Sequence, residues 1–316
     1  MVSRPPLLVL VGPTGVGKTA VAVRLAGQIG MEVVSADSRQ VYRGLDIGTG
    51  KPTAEERAAV PHHLVDVVDP GERYHAARFR ADALAAIAAV RGHGRLPVVV
   101  GGTGLYVRAL LRGLAPAPPA DPALRAGLER FAAEHGAPAL HARLAAVAPE
   151  TARRLHPNDR VRIVRALEIQ ARPGGTPQDT GTGDWAVAPR GWRLVMLGLG
   201  RARARLNAAI AERARSMLAR GMMDEVRRLI EAGHQPGRPP MDGIGYRQLA
   251  LALEGRMAVE EALRLMIRDT TRYAKRQMTW FQREAEIRWL DVDAAGGVEG
   301  TAEAVQKHIT REGLIE

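Results

Sequence analysis

The stretch that decides the fold is Leu7-Leu8-Val9-Leu10-Val11-Gly12-Pro13-Thr14-Gly15-Val16-Gly17-Lys18-Thr19. Leu7–Val11 is a continuous apolar run that predicts a buried strand, and Lys18–Ile29 has the periodicity of a helix. The turn between them fits the pattern G-x-x-x-x-G-K-[ST], in the strand, loop and helix context that makes the pattern credible. The sequence therefore predicts a phosphate-binding loop made of Gly12, Pro13, Thr14, Gly15, Val16, Gly17, Lys18 and Thr19.

Each residue type in this loop has a chemical reason to be there. The glycines let backbone N–H groups close on phosphate oxygens, and the start of the helix adds the positive end of its dipole. Lys18 supplies a positive charge, and the Thr19 hydroxyl is the predicted protein ligand of a Mg²⁺ ion. The motif alone does not say which phosphate compound is bound.

Strands and helices alternate outward from this loop. Short apolar strands are predicted at Glu32–Ala36 and Leu96–Val100, with an Ala-rich helix at Phe79–Arg91 between them. This alternation predicts an α/β fold with a P-loop NTPase-like parallel sheet flanked by helices. Further strands are predicted at His62–Val68, Trp192–Leu199 and Arg288–Val292, and further helices at Ala202–Ala219, Met222–Ala232, Tyr246–Leu253 and Val259–Arg283.

A segment rich in Ala and Pro, Ala115–Pro122, interrupts the alternation, and Asp121 is a candidate N-cap for a helix at Pro122–Glu134. The helical pattern continues to about Arg172, and a loop rich in Gly, Pro and Thr follows at Pro173–Gly191. These boundaries predict an inserted small helical subdomain. The predicted division is 1–114 with 192–316 for the core and its C-terminal helices, and 115–191 for the insertion.

Composition excludes several classes of protein. The 316 residues are 46% hydrophobic, enough for one large core or two modest ones. No apolar run approaches the ~20 residues that span a bilayer, and no secretory h-region follows Met1, so we expect a cytoplasmic protein that makes no membrane contact. The absence of cysteine excludes disulfides, iron–sulfur clusters, thiolate zinc sites and a cysteine nucleophile.

The positive charge is concentrated in one part of the chain. Residues 151–283 carry 25 Lys and Arg against 13 Asp and Glu, a net +12, whereas the rest carries 20 against 21. Four arginines recur every fourth residue on one predicted helix and form a stripe about 18 Å long, given a rise of ~1.5 Å per residue. They are Arg264, Arg268, Arg272 and Arg276. This distribution favours a polyanion such as nucleic acid, although a solvated helix face or a GC-rich genome would also explain it.

The ends of the predicted strands bear on the type of reaction. An ATP-using enzyme with this loop places an Asp after a later apolar strand, but Val98–Val100 runs into Gly101-Gly102-Thr103-Gly104. The nearest strand-end acid is Asp37, and we expect its strand to lie beside the first one. Because ligands of open α/β sheets lie outside the carboxyl ends of the strands, Lys18, Asp37 and Gly101–Thr103 are expected to face one pocket. A solvated or capping Asp at a strand end is the alternative for Asp37.

Eight sequence blocks in a fixed order resemble the tRNA isopentenyltransferase family, also called the tRNA dimethylallyltransferase or IPP transferase family. The resemblance extends from about Leu7 to Leu290. Any single block after the first is weak evidence, but eight blocks in the order of the family are specific. The blocks are Gly12–Thr19, Asp37-Ser38-Arg39-Gln40-Val41-Tyr42, Asp46-Ile47-Gly48-Thr49-Gly50-Lys51-Pro52, Pro61-His62-His63-Leu64, Gly101-Gly102-Thr103-Gly104-Leu105-Tyr106, His156-Pro157-Asn158-Asp159, Gly245-Tyr246-Arg247-Gln248 and Lys275-Arg276-Gln277-Met278-Thr279-Trp280-Phe281.

The resemblance implies transfer of the dimethylallyl group from dimethylallyl diphosphate to N6 of adenosine 37 in tRNA, with release of pyrophosphate. It implies Mg²⁺ as cofactor and the anticodon stem-loop as partner, and we expect a monomer. Asp37 matches the family's general base, Thr103 the threonine that supports the leaving oxygen, and Arg227, less specifically, an arginine that assists the diphosphate. A surface salt bridge is the alternative for Arg227.

The family's tRNA contacts also carry over to particular positions. Asp242 departs from the pattern, because relatives often carry a basic residue near this point, and its own contact is therefore in doubt. The implied contacts are Asp37, Ser38, Arg39, Gln40, Thr103, Arg125, Val161, Arg162, Ile163, Val164, Arg165, Asp242, Gly243, Ile244, Gly245, Tyr246 and Arg247.

Three other functions fit parts of the sequence. A small-molecule kinase using ATP would explain the phosphate loop but not the missing strand-end carboxylate. An enzyme that prenylates free adenine nucleotides would not need the insertion or the arginine stripe. A non-catalytic RNA-binding module would make Lys18 and Asp37 dispensable.

Overall fold

The computed structural model describes residues 4–114, 118, 121–172 and 191–316. The chain divides into two compact units, one formed by Met1–Leu111 with Pro189–Glu316 and the other by Arg112–Ala188. Apart from Gly191, the predicted loop Pro173–Gly191 lies outside the described residues. Among those described, no helix is long and apolar enough to cross a bilayer.

A six-stranded parallel sheet forms the centre of the first unit, and this confirms the predicted α/β fold. The order across the sheet is β3-β2-β4-β1-β5-β6. The strands are β1 Pro6–Val11, β2 Met31–Ala36, β3 His62–His63, β4 Leu96–Gly101, β5 Arg193–Gly200 and β6 Arg288–Asp291.

Twelve helices lie among the described residues. Nine belong entirely or almost entirely to the first unit, namely α1 Lys18–Ala26, α2 Ala54–Ala59, α3 Ala76–Gly92, α4 Gly104–Arg112, α8 Arg203–Ala219, α9 Met222–Glu231, α10 Tyr246–Leu253, α11 Val259–Phe281 and α12 Gly297–Arg311. Three belong to the second unit, namely α5 Pro122–Val147, α6 Pro149–Arg154 and α7 Arg160–Gln170.

The central strand β1 is apolar because helices cover both faces of the sheet. All five residues of Leu7–Val11 are 0% exposed. Leu8 and Leu10 pack in one cluster with residues of α1 and α12, whereas Leu7, Val9 and Val11 pack in another with residues of α3 and α4. A strand buried on both faces reads as a continuous apolar run, and this is why the sequence signal here was strong.

The expectation that the strand of Asp37 lies beside β1 is wrong. β4 pairs with β1 on one side and with β2 on the other, so β4 separates them. Local sequence does not specify this order, because the chain leaves β1, skips one position to form β2, and fills the gap only after α3. The carboxyl ends of β1, β2 and β4 nevertheless meet at one edge of the sheet.

The predicted strand His62–Val68 is mostly not a strand. Only His62–His63 pairs with β2, and Val68 forms an isolated bridge with Tyr42. Leu64 and Asp66 have positive φ angles of 62° and 58°, which break the extended conformation. Ion pairs of Asp66 with Lys51 and Arg57 hold this segment in place.

The second unit is helical and has its own core, built on residues such as Leu128, Leu140 and Ile163. The carboxylate of Asp121 accepts hydrogen bonds from the N–H groups of Ala123 and Leu124, which confirms it as the N-cap of α5. Gly136, with φ 84°, interrupts α5 shortly after the end of the predicted helix Pro122–Glu134.

Candidate active site

The phosphate loop connects the carboxyl end of β1 to the first turn of α1. Gly12 has φ 152° and lies so close to β5 that a Cβ atom there would be 2.6 Å from the carbonyl oxygen of Leu199. Gly17 has φ 104°, a conformation that side chains other than glycine rarely adopt. These two glycines therefore fix the path of the loop.

Lys18 folds back across the loop that it terminates. Its Nζ donates hydrogen bonds to the carbonyl oxygens of Gly12 and Pro13, both at 2.9 Å. Burial lowers the pKa of Lys18 to about 8, although the nearby Asp37 carboxylate opposes this shift. A half-buried ammonium group at a helix N-terminus is suited to an anionic ligand.

Two cavities open at this edge of the sheet. The first, of about 350 Å³, is called here the phosphate-loop cavity, and the second, of about 330 Å³, the adjoining cavity. The phosphate-loop cavity is lined in part by Thr14, Gly15, Gly17, Lys18, Thr19, Asp37, Gln40, Gly101 and Gly102. Its lining confirms that Lys18, Asp37, Gly101 and Gly102 face one pocket, but Thr103, the last residue of the predicted set, does not line it. Gly12, Pro13 and Val16 complete the loop without lining this cavity.

The adjoining cavity contains several residues of the implied tRNA-contact segments. Ser38 and Arg39 line it from one side, and Asp242, Gly243, Ile244 and Tyr246 line it from another. Five residues border both cavities, namely Thr14, Asp37, Thr49, Arg213 and Tyr273. Asp37 therefore lies between the phosphate-loop cavity and the adjoining cavity.

Asp37 also closes its own turn. Its Oδ1 accepts hydrogen bonds from the backbone N–H groups of Arg39 at 2.8 Å and Gln40 at 3.3 Å. Asp37 therefore has the capping role given above as the alternative. Only Oδ1 accepts these two hydrogen bonds, and the side chain also borders both cavities. The two hydrogen bonds fix the orientation of the carboxylate, as a general base that must face its substrate requires.

Thr103 supports this turn from the end of β4. Its hydroxyl accepts a hydrogen bond from the Ser38 N–H at 3.1 Å, and its own N–H donates to the Ala36 carbonyl at 3.2 Å. It also hydrogen-bonds Tyr273, whose pKa is raised to about 12 by burial and by Asp37. The structure therefore brings Thr103 and Asp37 together, as predicted.

Gln277, on α11, joins the phosphate loop to the end of β4. Its Oε1 accepts from the Thr14 N–H and its Nε2 donates to the Gly102 carbonyl, both at 2.9 Å. A Cβ atom on Gly102 would lie 2.2 Å from this amide, and one on Gly104 would lie 2.2 Å from the Trp280 ring. The glycines that replace the expected strand-end carboxylate thus allow α11 to approach.

The structure places Arg227 outside both cavities. It forms an ion pair with Asp224 on the exposed side of α9, as in the alternative stated above. Arg213 on α8 instead borders both spaces. Burial lowers the pKa of Arg213 and Asp37 opposes this shift. Motif analysis missed Arg213 because it sits among other arginines of a basic helix and matches no short pattern.

The segment 242–247 is anchored to the Asp37 turn. Arg39 donates to the Asp242 carboxylate at 2.7 Å and to the Pro240 carbonyl at 3.1 Å. Thus Asp242, the departure noted in the sequence, pairs with a neighbouring site arginine. Gly245 donates to the Gln248 side chain, and Arg247 pairs with Asp269.

The remaining implied tRNA contacts belong to the second unit. Arg125 and Arg165 both pair with the buried Glu168, and Arg162 pairs with Asp159. Val161 is 80% exposed, whereas Ile163 and Val164 are buried in the core of that unit. Of the segment Val161–Arg165, the side chains that are not buried are those of Val161, Arg162 and Arg165.

The four arginines of the stripe lie on α11. Arg268 and Arg272 both pair with Asp269, at 2.9 and 3.8 Å, and Arg264 pairs with Glu261. Arg276 stacks on Tyr273 and lines the adjoining cavity. The stripe is partly neutralised, yet it leads from the exposed face of the helix to the cavity.

The residues around Thr19 suit a magnesium ion that is coordinated mainly by the phosphate oxygens of a bound substrate and by water. Thr19 lines the phosphate-loop cavity, and no group of three or more His, Asp or Glu side chains in the described part of the chain could hold a metal. Mg²⁺ commonly takes one or two protein oxygens, substrate phosphates and water. The Thr19 hydroxyl fits that pattern.

Comparison with known proteins agrees with this geometry. The IPP transferase family profile matches residues 40–284, and the isopentenyl transferase profile matches residues 5–63. A tRNA dimethylallyltransferase of Anaeromyxobacter dehalogenans (strain 2CP-1) is 52% identical over 91% of this chain and 95% of its own length. One of Desulforudis audaxviator (strain MP104C) is 46% identical over 98% and 99%.

Solved structures show the same similarity. The full-length tRNA isopentenylpyrophosphate transferase of Bacillus halodurans aligns with a TM-score of 0.70 and 37% identity, covering 98% of both chains. A eukaryotic dimethylallyltransferase acting on tRNA aligns with a TM-score of 0.79 and 28% identity, covering 96% of this chain and 78% of the other. The profile match, the curated relatives and the shared fold together show that this chain belongs to the IPP transferase family.

Proposed function

We propose that this chain transfers the dimethylallyl group of dimethylallyl diphosphate to N6 of adenosine 37 in tRNA. The observation that carries the proposal is the position of Asp37, which borders both the phosphate-loop cavity and the adjoining cavity. One carboxylate can then face a phosphate-bound donor and an inserted base at the same time. The named activities of the relatives, which are tRNA dimethylallyltransferases, support the same reaction.

The phosphate-loop cavity suits the diphosphate of the donor. As the allylic C–O bond breaks, negative charge develops on the departing pyrophosphate, and Lys18, Arg213 and the loop amides are placed to stabilise it. Thr19 would hold Mg²⁺, which supplies further neutralisation of that charge when bound. Thr103 supports the Asp37 turn beside the leaving group.

The adjoining cavity suits the acceptor base. A base in an anticodon loop cannot react while stacked, so it must swing out into a pocket. The N6 nitrogen then forms the new bond to carbon, and its proton passes to Asp37. Arg39, Tyr246 and Arg276 line the cavity that would receive the base. The arginine stripe and the basic half of the chain supply phosphate contacts.

Two further properties belong to this proposal. We infer from the tRNA substrate that the activity is cytoplasmic. We also infer that the chain acts as a monomer. A kinase using ATP gains no support from the cavities, because the second space is bordered by the implied RNA-contact segments.

The test is mass spectrometry of an anticodon stem-loop RNA after incubation with the protein, Mg²⁺ and dimethylallyl diphosphate. We expect the RNA to gain the mass of one dimethylallyl group in place of one hydrogen, and the same RNA with guanosine at position 37 to gain nothing. Transfer or cleavage of the terminal phosphate of ATP, with the RNA mass unchanged, would refute the proposal.

A further inference from the structure

Glu225 is a buried carboxylate on α9, far along the chain from the residues that it contacts. It is 2% exposed. Its Oε2 accepts from the N–H groups of Asp46 at 2.9 Å and Ile47 at 2.7 Å, and its Oε1 accepts from the Gly48 N–H at 3.0 Å. The phenol of Tyr246 adds a fourth hydrogen bond to Oε1 at 2.7 Å.

The four hydrogen bonds compensate for the burial of the Glu225 carboxylate. Burial of a charged group is unfavourable unless hydrogen bonds compensate for the water that it loses. Burial and the adjacent Glu225 raise the pKa of Tyr246 well above its ordinary value, so the phenol keeps its proton and continues to donate. Three consecutive backbone N–H groups turned toward one carboxylate also fix the backbone that carries them.

The backbone held in this way is the loop Asp46–Lys51, whose later residues line the phosphate-loop cavity. The Gly50 carbonyl accepts from Nε2 of Gln40 at 3.0 Å, and the Thr49 carbonyl accepts from Nη2 of Arg213 at 3.4 Å. The approach is so close that a Cβ atom on Gly50 would lie 1.9 Å from Nη2 of Arg213. Two carbonyl groups of the loop therefore orient two cavity side chains.

A second contact holds the opposite end of the same loop. The Lys51 side chain is 2% exposed, and its Nζ donates to the Tyr42 carbonyl and to the carboxylates of Asp46 and Asp66. This uses all three of its protons. Loss of Glu225 alone would therefore release the backbone N–H groups of Asp46, Ile47 and Gly48, while Lys51 still attaches the loop to the fold.

We infer that Glu225 is a positioning residue, which anchors residues 46–48 so that the carbonyls of Thr49 and Gly50 hold Arg213 and Gln40 at the phosphate-loop cavity. The inference rests on the proposed binding of a diphosphate in that cavity. It does not require that transfer to RNA takes place, because pyrophosphate binding alone reports the position of Arg213.

The test is a double-mutant cycle read as pyrophosphate affinity, measured by calorimetry with Mg²⁺ present. The variants are Glu225→Gln, Arg213→Ala and both together. The amide of Glu225→Gln presents an NH₂ group to backbone N–H groups and loses part of the anchor. We expect about tenfold weaker binding in the wild-type background and less than about twofold loss in the Arg213→Ala background, since coupled residues are not additive.

Asp224→Asn is the matched control, because it changes the same charge on the same helix at an exposed position. It should bind pyrophosphate as the wild type does. If Glu225→Gln does not fold, Glu225→Asp, which keeps the charge but withdraws it by one methylene, takes its place in the cycle.

Equal fold-losses in both backgrounds, or no loss at all, would overturn the inference, because a general structural defect does not depend on Arg213. Dimethylallyl transfer to RNA by the wild type is measured separately by mass spectrometry. A wild type that binds pyrophosphate with the expected coupling but leaves RNA unmodified would refute the proposed function and keep the inference.

Discussion

Asp37 combines a structural role and a chemical one in a single side chain. The N–H groups of Arg39 and Gln40 occupy Oδ1, and the same carboxylate borders both cavities. Substitution by alanine removes both roles together, whereas asparagine keeps an oxygen that can accept the two hydrogen bonds. The pair of variants therefore separates the turn from the reaction.

Asp37→Asn should lower turnover by more than ~100-fold, in the range expected for loss of a general base, with pyrophosphate affinity within about threefold of the wild type. The amide closes the turn but does not accept the N6 proton. Single-turnover transfer to a stem-loop RNA gives the rate, and calorimetry gives the affinity. Asp37→Ala shows the added cost of losing the turn. If Asp37→Asn turned over at the wild-type rate, Asp37 would not be the general base.

Lys18 makes donor binding depend on pH. Its pKa of about 8 in the free protein means that the ammonium group is charged below that pH and loses its proton above it. Pyrophosphate affinity should therefore fall as pH rises through about 8, by up to about tenfold per pH unit until the pKa of the bound state is reached. Calorimetry from pH 7 to 10 measures this.

Lys18→Ala is the control for the titration of pyrophosphate itself. It should bind more weakly at pH 7 and lack the additional loss above pH 8. Identical pH profiles for the variant and the wild type would show that the Lys18 charge does not hold the ligand.

Local patterns were sufficient for some site residues and not for others. The phosphate loop and Asp37 could be predicted because their roles follow from residues a few positions apart. Arg213 and Gln277 could not, because each reaches the cavity through contacts with residues more than 160 positions away. Gln277 lies in the last block of the family resemblance, but neither that block nor the basic helix around Arg213 gives either residue a role at the site.

At the scale of elements, α11 combines the most roles. Gln277 faces the phosphate loop, Trp280 packs over Gly104, and the arginine stripe lies on the exposed part of the helix. Its bounds and those of α10 were predictable to within two residues, because strong periodicity marks long amphipathic helices. Helices α4 and α12 were not predicted, since α4 directly follows a glycine-rich strand end and α12 starts at a pair of glycines with positive φ, Gly296 and Gly297.

Gly104→Ala tests the packing of α11 on α4. The new Cβ atom would lie 2.2 Å from the Trp280 ring, so we expect a loss of about 1–3 kcal/mol in the free energy of unfolding, as for overpacked cores. Chemical denaturation measures this. Gly92→Ala, at the end of α3 with nothing within 4 Å of the new atom, should show no loss. Equal stability of the two variants would contradict the packing argument.

At the scale of the whole molecule, charge and strand order show the limits of sequence reasoning. The basic half could be read from composition, and the parallel α/β sheet from the alternation of elements. The position of β4 between β1 and β2 could not, because strand pairing depends on contacts across more than 60 residues.

The basic half of the chain predicts binding of RNA that depends on salt. Arg268→Glu with Arg272→Glu should weaken stem-loop binding and reduce the slope of log affinity against log salt by about 1.5, near the value for two lost phosphate contacts. Fluorescence anisotropy at several salt concentrations measures the slope. Arg24→Glu with Arg91→Glu, an equal charge change at exposed positions outside residues 151–283, should alter it less. An unchanged slope in the stripe variant would place these arginines away from the RNA.

The wall that the two cavities share has a consequence for enzyme engineering. Any substitution at Asp37, Arg213 or Tyr273 changes the donor side and the acceptor side together. Met217 and Met266 border the adjoining cavity alone, and methionine side chains tolerate replacement because they are flexible. Variant libraries intended to admit a different nucleobase should therefore start at these two methionines. Substitutions there can change selectivity for the acceptor base without altering the residues that contact the leaving group.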